Sequence, residues 1–597
     1  MCGIVYKSNF YSPTVYDDFI LACEQINHRG PDDFGYLFTK SHSFGHKRLA
    51  IINPAYGKQP MSLLNNHLIY NGELYNYDEL INYLDSPLEF KSDTLLLLKL
   101  LSIYDTKILD NLNGIFSFVY TKNDEEILAV RDMFGVKPLY YTIYNNDIFI
   151  ASEIKSILKY TKEAIINKDG ICELLGMGPS HSKGKTIYKG IYELPPGHYL
   201  RYSKKGLEIV EYYKLPVYKY KKTYKETVND IHDLLSKAIN NQMISDVGIS
   251  SFLSGGLDSS IISTVVASKK INLDTYTIDY EDNKECFKAN DFEISRDLDY
   301  AKIVSEDINS KLHIAIIDNK TLISNLEKAV ILRDAPGMTD IDSSMIYLAD
   351  RIKKDNKVSL SGECADELFA GYSWYYKKEK EKKTFPWIRN IEYRESLLND
   401  KWKSKINLKE YVENEYNNAV NDAPKLEGES QLDEKHRVLT YLNIKYFMTN
   451  LLDRKDRMTM GSSIEVRVPF CDKNLVEALY NIPFKYKYRY KKEKKLLRDA
   501  FKNEMSDKII NRKKSPYPKS RSNYYDNEVR RILKEALEDK DSILYELFDI
   551  DKINELIESE EELKTPWYGQ LMRKTALMAY LYQIHYWYKK YNIRIEE

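Results

Sequence analysis

The chain has 597 residues, a length that argues for two to four domains. Its 88 Lys and Arg balance 89 Asp and Glu to a net charge of −1, which disfavours a basic nucleic-acid binder, an acidic tail protein and an anionic-membrane partner. With 43% hydrophobic and 30% charged residues, the chain reads as globular and soluble rather than disordered. The 50 tyrosines, accompanied by abundant Lys, Ile and Asn, fit drift toward AT-rich codons, a reading that GC-rich codons in the gene would overturn.

Cys2, Cys23, Cys172, Cys286, Cys364 and Cys471 contain no CxxC pair, so a reduced, cytoplasmic chain is the simplest expectation. Lys7 interrupts any apolar signal core, and the stretch Thr575 to Tyr588 is too short and too polar to span a bilayer.

Short strand-like runs dominate the first two hundred residues: Gly3–Tyr6, Phe44–Ile52, His67–Tyr70, Phe116–Thr121, Ile127–Arg131 and Leu139–Ile143. Turn chemistry separates them at Gly30-Pro31-Asp32, Asn71-Gly72 and Asn145-Asn146, and the clearest helices are Val15–Ile26 and Thr94–Ile103. An α+β domain follows from that ratio. Beyond Leu194-Pro195-Pro196-Gly197 and the Lys/Tyr-rich stretch Tyr218–Lys225, strands at Val247–Leu253, Thr275–Tyr280, Leu312–Ile317 and Lys357–Leu360 alternate with helices at Ser259–Ser268, Glu293–Ile308 and Ser343–Lys354. This alternation predicts an α/β domain with a parallel sheet, followed from about residue 375 by a mainly helical part. The expected division is 2–210, a linker at 211–225, and 226–597. Lys/Tyr runs such as Tyr486–Lys495 read as a solvated face or linker in a neutral chain, so no nucleic-acid partner is expected.

Removal of Met1, common before a small residue, would leave Cys2 at the amino terminus. A terminal α-amine titrates near ~8, so one residue then supplies both a nucleophilic thiol and its general base. Cys2 is followed by His28-Arg29-Gly30-Pro31-Asp32, Arg48-Leu49-Ala50-Ile51 on a strand, Asn71-Gly72-Glu73-Leu74-Tyr75-Asn76 in a turn and Ser92-Asp93 at a helix start. Arg131 to Tyr141 and Ala151 to Lys155 complete the series. In this order the set resembles the class II glutamine amidotransferase domain, an N-terminal-nucleophile hydrolase with an αββα sandwich. The resemblance implies that Cys2 attacks the glutamine amide while the Asn71 side chain and the Gly72 N–H stabilise the oxyanion. It implies that Arg48, with Leu49 and Ile51 beside it, binds the glutamine α-carboxylate, and that Glu73 and Asp93 hold its α-amine.

Leu253-Ser254-Gly255-Gly256-Leu257-Asp258-Ser259-Ser260 runs from a strand into a helix. Two glycines admit a close phosphate, the helix start presents N–H donors, and serine hydroxyls add more. The Walker A pattern with its lysine is absent. The run resembles the PP-loop ATPases, which cleave ATP between the α and β phosphates. A second loop, Ser361-Gly362-Glu363-Cys364-Ala365-Asp366-Glu367, also follows a strand, so Asp258 and Asp366 are expected to meet and hold Mg²⁺ on the phosphates, with Glu363 left free to manage a proton.

Cys2 combined with these two loops resembles glutamine-hydrolysing asparagine synthetase over nearly the whole chain. Leu452 to Asp472 and Lys492 to Arg498 look like further signatures of that family. The resemblance implies that Lys494 stabilises the transferred phosphates, that Leu253, Ile278, Ser361 and Gly362 line the ATP site, and that Glu363 acts on a β-aspartyl adenylate. It also implies glutamine, aspartate and ATP as small-molecule substrates and a homodimer. The second loop more often reads SGEGSDE in that family, and here Cys364 and Ala365 stand instead, with Cys364 expected as a packed residue. Residues Arg333 to Met338 and Asp340 to Ser344 offer no reading that ties them to aspartate. Two other readings stay open: an amidotransferase of this architecture acting on a cell-wall precursor or natural-product acid, and a non-catalytic paralogue, which loss of Cys2, Asp258 or Asp366 would have signalled.

Overall fold

The computed structural model describes residues 2–123, 125–287, 295–377, 383–520 and 522–597. In chain order the first strands are β1 Gly3–Ser8, β2 Asp33–Phe38, β3 His42–Arg48, β4 Met61–Leu63, β5 Asn66–Leu74, β6 Gly114–Lys122, β7 Glu126–Arg131, β8 Tyr140–Tyr144 and β9 Asp147–Ala151. They are followed by β10 Ile165–Ile166, β11 Tyr192–Glu193, β12 His198–Ser203 and β13 Gly206–Glu211. Two antiparallel sheets result, ordered β11-β8-β9-β1-β3-β2 and β13-β12-β7-β6-β5-β4. Period-2 alternation turns Ile4, Tyr6, Phe44, Ile69, Val119, Ala129 and Ile150 into one dry layer between them. Helices Tyr16–Glu24 and Ile154–Thr161 cover the outer face of the first sheet, and Asp93–Tyr104 covers the second, which makes the αββα N-terminal-nucleophile sandwich.

The structure corrects two local expectations. The strand expected over Phe44–Ile52 ends at Arg48, so Leu49 and Ile51 lie just past the sheet edge. Asn71-Gly72-Glu73 is not a turn but the interior of β5, paired with Ser117, Phe116 and Ile115. Gly72 supplies clearance there, since a Cβ would lie 2.2 Å from the Ile115 carbonyl oxygen and 2.7 Å from Phe116 Cα. The true Asn turn is Asn145-Asn146, whose φ angles of 51° and 60° close the β8–β9 hairpin.

An irregular segment leads to the helix Tyr224–Gln242, begun by a Thr223/Glu226 capping box. Strands β14 Ile249–Phe252, β15 Asp274–Tyr280, β16 Lys311–Ile317, β17 Val358–Leu360 and β18 Glu465–Arg467 then form an all-parallel sheet, ordered β16-β15-β14-β17-β18. The helix expected over Glu293–Ile308 spans Asp297–Asp307, and residues 293 and 294 lie outside the described residues. The short strand β18 carried no sequence expectation. A helical C-terminal part follows, and β19 Arg594–Ile595 pairs in parallel with β10, tying the end of the chain to the sandwich. Among the described residues no helix is long and apolar enough to cross a membrane.

Candidate active sites

Cys2 leads into β1 and is buried, with 8% of its surface exposed. Its backbone N donates to Asn71 Oδ1 at 2.9 Å across the sandwich. The Asn71 Nδ2, on the same side chain, is then a buried donor with no partner among the described residues. Because leaving such a donor unpaired costs about 1–3 kcal/mol, it marks a place where a charged oxygen would be welcome. Burial pushes the Cys2 thiol up, offset in part by the Leu49 N–H and the Arg48 cation. Arg48 Nη1 donates to the Pro54 carbonyl at 2.9 Å, and Nη2 reaches the carbonyls of Asn53 and Tyr56, so one guanidinium shapes the loop after β3. Ile51 is buried and accepts from the Asp246 N–H at 3.2 Å, a contact to the second half of the chain.

Glu73 and Asp93 close the far side. Burial lifts the Asp93 carboxyl to about 6, although the Thr94 N–H donates to it at 2.8 Å. Burial and the neighbouring carboxylates Glu465 and Asp93 raise Glu73 well above its ordinary value, with Arg467 at 3.6 Å offsetting part of the rise. Glu465 belongs to β18, so the parallel-sheet half contributes to the surroundings of the thiol. Arg467 Nε bonds Glu465 Oε1 at 2.6 Å.

The second site forms where β14 and β17 lie side by side with their connections leaving in opposite directions, the switch point at which parallel sheets bind ligands. After β14, Gly255 adopts φ 68°, and a Cβ there would stand 2.4 Å from the Ala301 N. Ser259 Oγ receives the Ser254 N–H at 3.2 Å and fixes the turn into helix Leu257–Ala267. A cavity of about 260 Å³ is lined by Leu253, Ser254, Gly256, Leu257, Asp258 and Ser259, with Ile278, Ser361 and Gly362 facing them. Gly255 and Ser260 are not in that lining, and the Ser260 hydroxyl is buried without a partner.

Asp258 and Asp366 do meet, joined by Lys494 Nζ at 2.5 and 2.6 Å. Lys494 takes φ 53°, and Gly371 gives it room, because a Cβ there would stand 1.9 Å from Asp366 Oδ1. Against the effect of burial, Lys494 and Lys514 hold Asp366 at about 2. Burial and the neighbouring Asp366 raise Asp258, while Lys494 opposes the rise. Two carboxylates with Asp258 Oδ1 unbonded are hard oxygen donors of the number Mg²⁺ takes beside phosphates.

Glu363 is not the free group expected. It pairs with Arg454 at 3.1 Å and Lys455 at 3.2 Å, cations that hold its carboxyl down against burial. Cys364, 2% exposed, stands at φ 76°, the left-handed region that favours glycine and so explains the glycine this loop more often carries. Burial beside Cys471 raises its thiol well above the usual range, in keeping with a packed role.

Sequence reasoning gave no role to the helix Thr449–Met460, whose residues from Asn450 onward are all buried. Toward the cleft it presents Arg454 and Lys455. Toward the sandwich it presents Asp456, 2.8 Å from Arg29, and Arg457, 3.2 Å from Glu153. Arg29 Nε in turn donates to the Cys2 carbonyl at 3.0 Å, so one buried chain of contacts runs from the thiol residue to the helix that holds Glu363. Arg333 and Asp334 belong to this seam: Asp334 pairs with Arg457 at 2.6 Å and Lys155 at 3.1 Å. The signal was Arg454-Lys455-Asp456-Arg457, a charge run inside an otherwise apolar stretch. Arg512, bonded to the Ser254 carbonyl at 3.2 Å, and Lys514 were missed as well. Tyr372, Phe447 and Tyr568 add an aromatic wall to the same cavity, with centroids 5.4 and 6.3 Å apart.

Residues 230–589 match the family model described as asparagine synthase, and residues 1–213 match the glutamine amidotransferase domain. The chain is 42% identical to asparagine synthetase [glutamine-hydrolyzing] 3 of Bacillus subtilis, with all of both chains covered. It is 30% identical to asparagine synthetase [glutamine-hydrolyzing] 1 of the same organism, over 92% of this chain and 93% of that one. Amidase chyE of Penicillium rubens is 26% identical over 89% of each.

Proposed function

Because the chain belongs to the asparagine synthetase family, with a glutamine amidotransferase domain at its start, we propose that it makes L-asparagine from L-aspartate, ATP and glutamine-derived ammonia. The observation that carries this reading is the buried, unpaired Asn71 Nδ2 beside Cys2 in a chain whose other half holds Asp258 and Asp366 on facing loops.

In the first half-reaction the Cys2 sulfur attacks the side-chain carbonyl carbon of glutamine, and its proton passes to the α-amine freed by loss of Met1. Asn71 Nδ2 and the Gly72 N–H take the charge on the oxygen, ammonia leaves, and water cleaves the γ-glutamyl thioester to glutamate. Arg48, Glu73 and Asp93 orient the amino-acid end of the substrate.

In the second, a β-carboxylate oxygen of aspartate attacks the α-phosphorus of ATP, and the bond to the β-phosphate breaks. The loop from Ser254 to Ser260, with Lys494, takes up the pyrophosphate charge. Ammonia then attacks the acyl carbon of the β-aspartyl adenylate, AMP leaves, and Glu363, kept ionised by Arg454 and Lys455, accepts the proton. Asp258 and Asp366 are the residues that would hold Mg²⁺, which screens phosphate charge when bound. Since ammonium is no nucleophile, the reading includes a water-poor passage along the seam of Arg29 and helix Thr449–Met460.

The deciding experiment supplies glutamine, ATP and a panel of carboxylates, and measures the amide formed and the AMP released. Asparagine with one AMP per amide is expected. A different amide at higher kcat/KM would overturn the choice of aspartate. The wall of Tyr372, Phe447 and Tyr568 favours a second reading, an acceptor carboxylate with an apolar body, and the same panel tests it.

A further inference from the structure

A cavity of about 270 Å³ lies outside both sites, between the irregular segment at Lys219 and Tyr220 and the helices that carry Arg437 and Lys487. Lys487 is only 4% exposed and lines it, yet its ammonium has no hydrogen bond or ion pair to any described residue. Burial and the nearby Arg437 push that lysine down to about 7. Arg437 is already engaged, its Nε 3.0 Å from both oxygens of Glu429 and its Nη1 3.3 Å from the Tyr480 carbonyl. His436 also lines the cavity, with a buried Nδ1 that has no partner and a ring stacked flat on Phe484 at 3.5 Å between centroids. Neither remaining carboxylate of the lining forms an ion pair with Lys487: Asp433 accepts from the Ser430 hydroxyl at 2.8 Å, and Glu427 stands at the exposed rim.

Lys487 and His436 thus line one cavity, with no acceptor for the Lys487 ammonium or the His436 Nδ1 among the described residues, and burying an uncompensated cation is among the costliest arrangements a fold can hold. We propose that this cavity is a binding site for a small organic anion, whose carboxylate or phosphate oxygens are held by Lys487 and His436 and whose body lies against Phe484. Tyr375 lines the same cavity, and its hydroxyl donates to the Glu367 carbonyl at 2.6 Å, one residue past Asp366. The cavity is therefore walled in part by a side chain that braces the loop carrying Asp366.

Pyridoxal 5′-phosphate tests it, being both an anion and an aldehyde that condenses with a neutral amine to an imine and water. The full-length chain is incubated with it, with Mg·ATP present to shield the Lys494 cleft, then reduced with borohydride and mapped by peptide mass spectrometry. Lys487 is expected to be labelled at least about tenfold faster than the exposed Lys485, and inorganic phosphate or benzoate at millimolar concentration to slow Lys487 labelling severalfold with Lys485 unchanged. Labelling of Lys487 no faster than Lys485 overturns the proposal. So does fast labelling that neither anion slows, since that outcome describes a reactive lysine without an anion site.

Discussion

Around Cys2 the working groups are backbone amides, one carboxamide and carboxyls lifted by burial, all held between antiparallel sheets. Around Asp258 they are full charges in close pairs, Lys494 with two carboxylates and Glu363 with two cations, at the carboxyl ends of the central strands of a parallel sheet. On the proposed function, the contrast follows what each site would have to stabilise. A single developing oxyanion is met by a dipole fixed in a dry interior, where it needs no reorganisation. A triphosphate brings several charges at once, and only cations and metal-binding carboxylates match it. Stabilising the oxyanion in the first site therefore depends on the placement of a few uncharged donors, and the second site depends on the balance of many charges.

The largest expected effect separates the two halves. Cys2→Ala should lower glutamine-dependent synthesis by at least ~10³-fold, the scale for loss of a covalent nucleophile, while ammonia-dependent synthesis persists. Loss of both activities, read from AMP and amide, would break the division into independent sites. Asn71→Ala should cost about 10²–10³-fold in kcat for glutamine with KM little changed, as for removal of one oxyanion donor. An equal rise in KM would mean that Asn71 binds substrate rather than its transition state. Asp258→Ala should lower AMP formation by at least about 10²-fold, the effect of several kcal/mol of lost charge stabilisation, and leave glutamine hydrolysis unaltered.

Asp456→Asn keeps the volume of the seam but weakens its pairing with Arg29. Glutamine consumed per amide formed should rise severalfold above one, with each half-reaction measured alone within about tenfold of the parent. A ratio that stays at one would show that the two regions are joined by some other route.

The last test is a pH dependence. The Asp93 carboxyl lies at about 6, above its unfolded value of about 3.9, so its protonated form favours folding below that lower value and the contribution is lost as pH rises through 6. Binding the glutamine ammonium requires the ionised form, so kcat/KM for glutamine should fall about tenfold per pH unit below 6. Asp93→Asn should flatten that limb, and an unchanged profile would place the titrating group elsewhere.

Much of this was legible because it is local. The glycine-serine run at Ser254 to Ser260 encodes its own turn and helix start, and strands alternating with helices imply the parallel sheet around it. Cys2, Arg48, Glu73 and Asp93 were also singled out in sequence for the proposed first site, but Asn71-Gly72 read as a turn. The same dipeptide serves a hairpin or a crowded strand, and only the neighbouring strand decides which. Glu363 read as free because its two cations lie about ninety residues further on in the chain.

The two halves, the thiol at the start, the glycine-serine turn and the acidic candidates of both sites were readable from sequence, because each rests on short-range spacing and on chemistry intrinsic to a few side chains. Tertiary structure alone decided that Asn71 aims an unpaired donor beside Cys2, that Lys494 bridges Asp258 and Asp366, and that one buried helix is linked through Arg29 to Cys2. It alone left Lys487 without a partner among the described residues. Burial and pairing set the protonation and orientation of these groups, and both depend on residues far apart in the chain.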